Sequence, residues 1–215
     1  MLRKRTAIVV NGFQVAGRHI LKNFNDKNWN FSFIGHGDFS VDRSFESVDC
    51  LFLNSYSRVD YRASIEEFPI EHWKTILDRS VTSNFLLTKT IWIQMQRQHF
   101  GRIFYLVSRC SFPKEKSMIR SFFSVQFDED EQSISPWKSA SIVAHQAMLA
   151  LSQSFAVEGA PFGITSNTIC FNSNSIDQRF LHHRTLSDLI EFLSSNAAQH
   201  ITGQTINWNK SLESS

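Results

Sequence analysis

Short apolar runs alternate along the chain with longer stretches whose apolar positions recur at helical spacing. Thr6–Val10, Trp29–Ile34, Cys50–Leu53, Arg102–Val107, Ile164–Cys170 and Gln204–Trp208 read as strands. The first is continuous and β-branched, as expected of a strand buried on both faces of a parallel sheet. Gly17–Phe24, His72–His99, Ala140–Glu158 and Leu186–Ala197 read as helices. In the second of these, Trp73, Ile76, Leu77, Val81, Phe85 and Leu86 keep helical spacing, and the third is rich in the strong helix formers Ala, Leu, Met and Gln. Strands alternating with helices predict an α/β fold, a Rossmann-like doubly wound parallel sheet with helices on both faces.

The segment from Arg109 to Lys138 fits no regular element. It holds Lys114-Glu115-Lys116, the apolar Phe122–Phe127 and the acidic run Asp128–Glu131. It reads as a long loop of the kind that is functional or unstructured. The expected organisation is one domain over residues 1–215, with an insertion at about 109–138.

Composition narrows the function classes. A chain of 215 residues, 42% hydrophobic, buries a core without disulfide or metal staples. A formal charge of +2 with scattered Lys and Arg argues against a nucleic-acid partner. Cys50, Cys110 and Cys170 show no CxxC spacing, which excludes a cysteine-built metal site and suits a reducing, cytoplasmic setting. His182 and His183 are adjacent, so their side chains diverge, and no metal site is expected. No apolar run approaches the ~20 residues that cross a bilayer, so no membrane partner is expected. The basic start and short apolar run of Met1–Phe13 read as a first strand rather than a signal sequence, because Asn11-Gly12 interrupts the run. Only 8 glycines occur, few for a fold that cradles phosphates on glycine loops.

Five segments, in order, resemble the short-chain dehydrogenase/reductase family, closest to its ketoacyl-reductase-like branch. Gly101–Ser108 is similar to the strand that ends in the active-site serine. Ser141–Glu158 is similar to the helix that carries Tyr-x-x-x-Lys, and Phe162–Cys170 to the strand after it. Ile201–Ile206 resembles the last strand, and Trp73–Leu87 the long helix that bears an asparagine. The resemblance implies a tyrosine acid, a lysine that lowers its pKa and holds the ribose, a serine on the carbonyl oxygen and an asparagine in the proton relay. On this chain the equivalents are Ser141, His145, Ser108 and Ser80. Ser141 and His145, four apart, share a helix face.

The cofactor side departs as well. The family's glycine-rich first turn corresponds to Asn11–Arg18, where Gly12 and Gly17 remain and Phe13 and Arg18 add bulk. Of its Asn-Asn-Ala-Gly turn, only Asn54 remains. Only about 15 residues separate the second strand from Leu51, so the family's third strand–helix unit is expected to be shortened or missing. From these departures the resemblance implies a catalytically inactive reductase-like subunit that binds no cofactor. It would pair with and support an active short-chain ketoreductase, or itself, through helices at about 72–99 and 138–158. The alternative is an active NAD(P)H-dependent 3-oxoacyl or ketone reductase with an atypical site, using NADP or NAD.

Overall fold

The computed structural model describes residues 4–10, 29–35, 47–54, 64–108, 139–171 and 184–208. Six strands form one all-parallel sheet: β1 (Arg5–Val10), β2 (Trp29–Ile34), β3 (Cys50–Asn54), β4 (Gly101–Ser108), β5 (Ile164–Phe171) and β6 (Thr205–Trp208). Their order across the sheet is β2-β1-β3-β4-β5-β6. β1 pairs with β2 on one side and with β3, the next described strand, on the other. The stretch 36–46, where the family's third strand–helix unit would lie, falls outside the described residues. The predicted helix at 17–24 and the 109–138 insertion lie outside the described residues.

The helices are α1 (Ile70–Leu77), α2 (Ser83–Gln98), α3 (Ser139–Gly159) and α4 (Arg184–Leu193). Alternation along the central strands divides the core in two. Ile8, Val10, Leu51, Leu53, Ile103, Tyr105 and Val107 meet Leu87, Ile91 and Met95 of α2 and Met148, Leu149 and Phe155 of α3. Ala7, Val9, Cys50, Phe52, Phe104 and Leu106 face the other way, onto Leu186, Ile190 and Leu193 of α4. Both faces of β1, β3 and β4 are buried, which is why these strands read as unbroken apolar runs.

Two sequence expectations change. The helix read as ending at Ala197 stops at Leu193, and a separate 3-10 turn covers Asn196–Ala198. And α3, counted as no spanning candidate, does run apolar for long enough to match one by length and composition. It packs along β5 and β4 with half of that stretch buried, as a core helix does.

At the end of the sheet where the strands begin, α2 closes on His99 in the left-handed conformation (φ 50°). Gly163 (φ 69°) follows α3 so closely that a Cβ there would lie 2.6 Å from the His99 carbonyl oxygen, so glycine is required on two grounds. Arg102, fully buried, ties this end together. Its guanidinium donates to the carbonyls of Gly101 and Gly163 at 2.9 Å and of Ser195 at 3.3 Å. It also stacks 4.1 Å from the Phe100 ring centre.

Candidate functional site

The strand order reverses between β1 and β3, since β2 lies outward from one and β4 from the other. In open α/β sheets the carboxyl ends of strands at such a reversal form the ligand crevice. Asn54, the last residue of β3, sits there buried, and its Nδ2 donates to the carbonyl of Val10, the last residue of β1, at 2.7 Å. The side chain thus continues the β1–β3 pairing past the point where the ladder ends.

Between α1 and α2 the helix does not run through regularly. Residues Asp78–Thr82 form a π turn, with the Ser83 amide bonded back to Asp78 O. Ser80, the position equivalent to the family's asparagine, lies in the middle of this turn with its side chain fully buried. A π turn shifts the carbonyl register, and such turns gather at functional sites. Side chains take up the shifted carbonyls. Ser83 Oγ donates to Arg79 O at 2.6 Å and Asn84 Nδ2 to Ser80 O at 2.7 Å. Asn84 Nδ2 also approaches Asn54 O at 3.4 Å, the outer limit of a hydrogen bond.

The third element is α3. Its residue Gly159 lies against Ile164 at the start of β5, and Ser152 Oγ meets Ser166 Oγ at 3.1 Å. Going back from Ser152 to Ser141 climbs about 16 Å of helix. Going from Ser166 to Phe171 climbs a similar distance of strand, about 16 Å. Ser141 therefore stands level with the carboxyl ends of β4 and β5, where Ser108 ends β4 opposite Phe171. His145 follows one turn below. Both are buried, Ser141 at 6% and His145 at 3% exposure. The start of α3 packs on α1 and the π turn through Ala140 and Ala144 against Ile76, Trp73 and Val81.

The fold thus brings Ser80, Ser108, Ser141, His145 and Asn54 to one end of the sheet. Gly12 and Gly17 lie outside the described residues, and for Ser108 only the backbone is described. Asn84 escaped the sequence reading. Its signal was a polar residue at a core-facing helical position, one turn after Ser80. Ser141 Oγ and Asn84 Oδ1 are buried polar atoms without a hydrogen-bond partner. Deeper in the sheet, burial drives the Tyr105 phenol above its ordinary range, partly offset by the Thr88 hydroxyl. Burial likewise pushes the Cys50 thiol up to about 12, against the lowering effect of its contact with Ser194.

No protein-family model matches the chain. It is 27% identical over 126 residues to a D-beta-hydroxybutyrate dehydrogenase of Rhizobium meliloti, covering 59% of this chain and 40% of that protein. It is 27% identical over 149 residues to an uncharacterized oxidoreductase, YxjF, of Bacillus subtilis, covering 69% and 48%. The matches therefore span less than half the length of these curated relatives. In structure it is similar to an oxidoreductase of the short chain dehydrogenase/reductase family from Burkholderia thailandensis (TM-score 0.71, 14% identity, 96% of this chain and 91% of that one). A chain described as an NAD(P) dependent gluconate 5-dehydrogenase from Beutenbergia cavernae, holding NADP at low occupancy, gives a TM-score of 0.70 at 18% identity, covering 96% and 95%.

These comparisons correct the expectation of a catalytically inactive, supporting subunit. The proteins that the chain resembles are dehydrogenases and oxidoreductases, and nothing in them marks an inactive member. The physical reason lies in what was counted. The sequence reading took the changed groups as one unit whose loss removes both binding and chemistry, whereas the fold holds a crevice at the strand reversal and a buried polar side chain at positions 80, 141 and 145. One structural neighbour of this fold holds NADP.

Proposed function

We propose, on the premise that this chain is a member of the short-chain dehydrogenase/reductase family to which its relatives and structural neighbours point, that it is an NAD(P)-dependent oxidoreductase acting on a ketone or the matching secondary alcohol through an atypical proton-donating pair. The observation that carries the reading is the placement of Ser141 and His145, buried on one face of α3 and level with the strand ends.

The donor set fits a nicotinamide nucleotide. The reversal point is intact, Asn54 closes it, and the buried Ser141 hydroxyl on α3, without a partner, is available to a donor or acceptor. When bound, a nicotinamide supplies or accepts the hydride. The chain itself must supply the proton. A serine hydroxyl is too weak an acid to release one alone, whereas an imidazole is the side chain best suited to proton transfer near neutrality. In this reading His145 holds the proton and Ser141 relays it to the carbonyl oxygen. Ser108 holds that oxygen by a hydrogen bond, and Asn54 fixes the strand end that walls the crevice. An imidazole at position 145 also offers one N–H toward a ribose hydroxyl, where the family's lysine offers three donors.

The exposed apolar side chains of α2 and α3 support association. Phe85, Leu86 and Ile93 on α2 and Val143 and Val157 on α3 are exposed, and the two helices adjoin, with Phe85 stacked on Phe155 at 6.2 Å. The reading extends to pairing of this face with a second copy or with a related reductase.

The test is titration of the purified chain with NADH and NADPH, followed by tryptophan fluorescence, and then ketone reduction followed by loss of the reduced-nicotinamide absorbance. Saturable binding, with turnover that His145→Ala lowers about 100-fold or more while binding persists, is the expected result. Absence of saturable binding by either nucleotide would sink the reading.

A further inference from the structure

The π turn and Asn84 form a unit that the family resemblance does not account for. Position 80 carries serine, so no carboxamide stands where the resemblance calls for one. A carboxamide does stand one turn later, at Asn84, with its side chain fully buried. Its orientation is decided by its neighbours. The carbonyls of Ser80 and Asn54 lie 2.7 and 3.4 Å from one terminal atom. Two acceptors on one side require the NH2 group there and leave the oxygen facing the other way. That oxygen is buried and has no hydrogen-bond partner. A buried carbonyl acceptor left unpaired costs about 1–3 kcal/mol, and native interiors meet such demands with an ordered water. The site is closed to bulk solvent, so the donor it suits is a single small molecule rather than a substrate-sized group.

We propose that Asn84 is a positioning residue of this site. Its NH2 group fixes the π turn to the end of β3, and its Oδ1 anchors one buried water beside the reaction crevice. The water site rests on the buried, unpaired Oδ1, and the positioning role rests on the oxidoreductase reading above. The carboxamide joins two parts of the crevice. Its NH2 group touches the carbonyl of the π turn that borders α3 and the carbonyl of the residue that closes β3, while the Asn84 main-chain carbonyl accepts from Thr88 Oγ1 at 2.8 Å.

The experiment is a crystal structure of the wild-type chain and of Asn84→Leu at a resolution that shows ordered water, with kcat and KM measured across pH for both. The expected result is one water within hydrogen-bond distance of Oδ1 in the wild type and none in Asn84→Leu. Turnover should fall about 10- to 100-fold with an altered pH profile, while KM for the nicotinamide moves by no more than about twofold. A merely structural asparagine would lower the melting temperature without moving the pH profile. Asn84→Asp, which keeps the size and shape, serves if the leucine variant does not fold, and should likewise move the pH profile. A dry Oδ1, or one found paired to a protein donor, overturns the proposal, as does an unchanged pH profile in both variants. A wild type with the water in place and no turnover supports the water site, and overturns the oxidoreductase reading and the positioning role with it.

Discussion

Asn54 and Val10 lie 44 positions apart, yet the side-chain amide of one meets the main-chain carbonyl of the other at 2.7 Å, where the strand order reverses. The bond spans the two strand ends that frame the crevice. Its donor is itself held in place, because Asn54 O lies near the Asn84 amide. Stability and the shape of the crevice are therefore joined at this residue.

Asn54→Ala removes a buried donor and leaves the Val10 carbonyl unsatisfied. Urea unfolding should show a loss of about 1–3 kcal/mol. Nicotinamide affinity, read by fluorescence titration, should fall with it, because the crevice wall moves. Unchanged stability would show that the bond carries no weight.

Cys50 provides a pH test. The folded thiol is pushed up to about 12 by burial, whereas in the unfolded chain it ionises near its ordinary value of 9.0. The folded state holds the proton more tightly, so the unfolded state releases it first. This contribution is complete below about pH 9 and is lost as pH rises through about 12. Melting temperature should therefore decline over that alkaline window, and Cys50→Ala should flatten the decline. At neutral pH, Cys50 and the equally buried Cys170 should stay unmodified by a thiol reagent in the native protein and react on unfolding.

Arg102 is buried on three carbonyls and a phenyl face. Arg102→Lys keeps the charge and loses the planar fork that reaches Gly163 and Ser195 together. Denaturant melts should show a loss of about 2–3 kcal/mol, more than is typical of a charge-conserving exchange. Gly163→Ala should cost about 1–3 kcal/mol in the same assay, since the left-handed backbone and the His99 carbonyl both oppose a Cβ.

The exposed face of α2 and α3 is tested by mass. If it pairs as proposed, light scattering should find the chain larger than its 24.8 kDa monomer. Ile93→Glu with Val143→Glu, both at exposed positions, should return it to monomer without lowering the melting temperature. A monomeric wild type would remove the support for association.

The parallel sheet was legible because each central strand is buried on both faces, so its apolar run needs no partner to be recognised. The shortened region after β2 was legible as a count of residues. That Ser141 and His145 share a buried face of α3 was legible too, because helical spacing carries a residue's place along the chain into its place on a face. What those residues amount to was not. Reading the changed positions together as a lost unit gave an inactive subunit, because a sequence shows which group has changed and not how the groups around it are packed.

Asn84 illustrates the difference. The order of strands and helices follows from local patterns of burial and turn chemistry, which neighbouring residues encode. The π turn, the amide that closes it and the bond from Asn54 to Val10 depend on groups 4, 30 and 44 positions apart meeting within hydrogen-bond distance. Only the packed sheet and its helices bring such groups together, because hydrogen bonding depends on distance in space and is indifferent to distance along the chain.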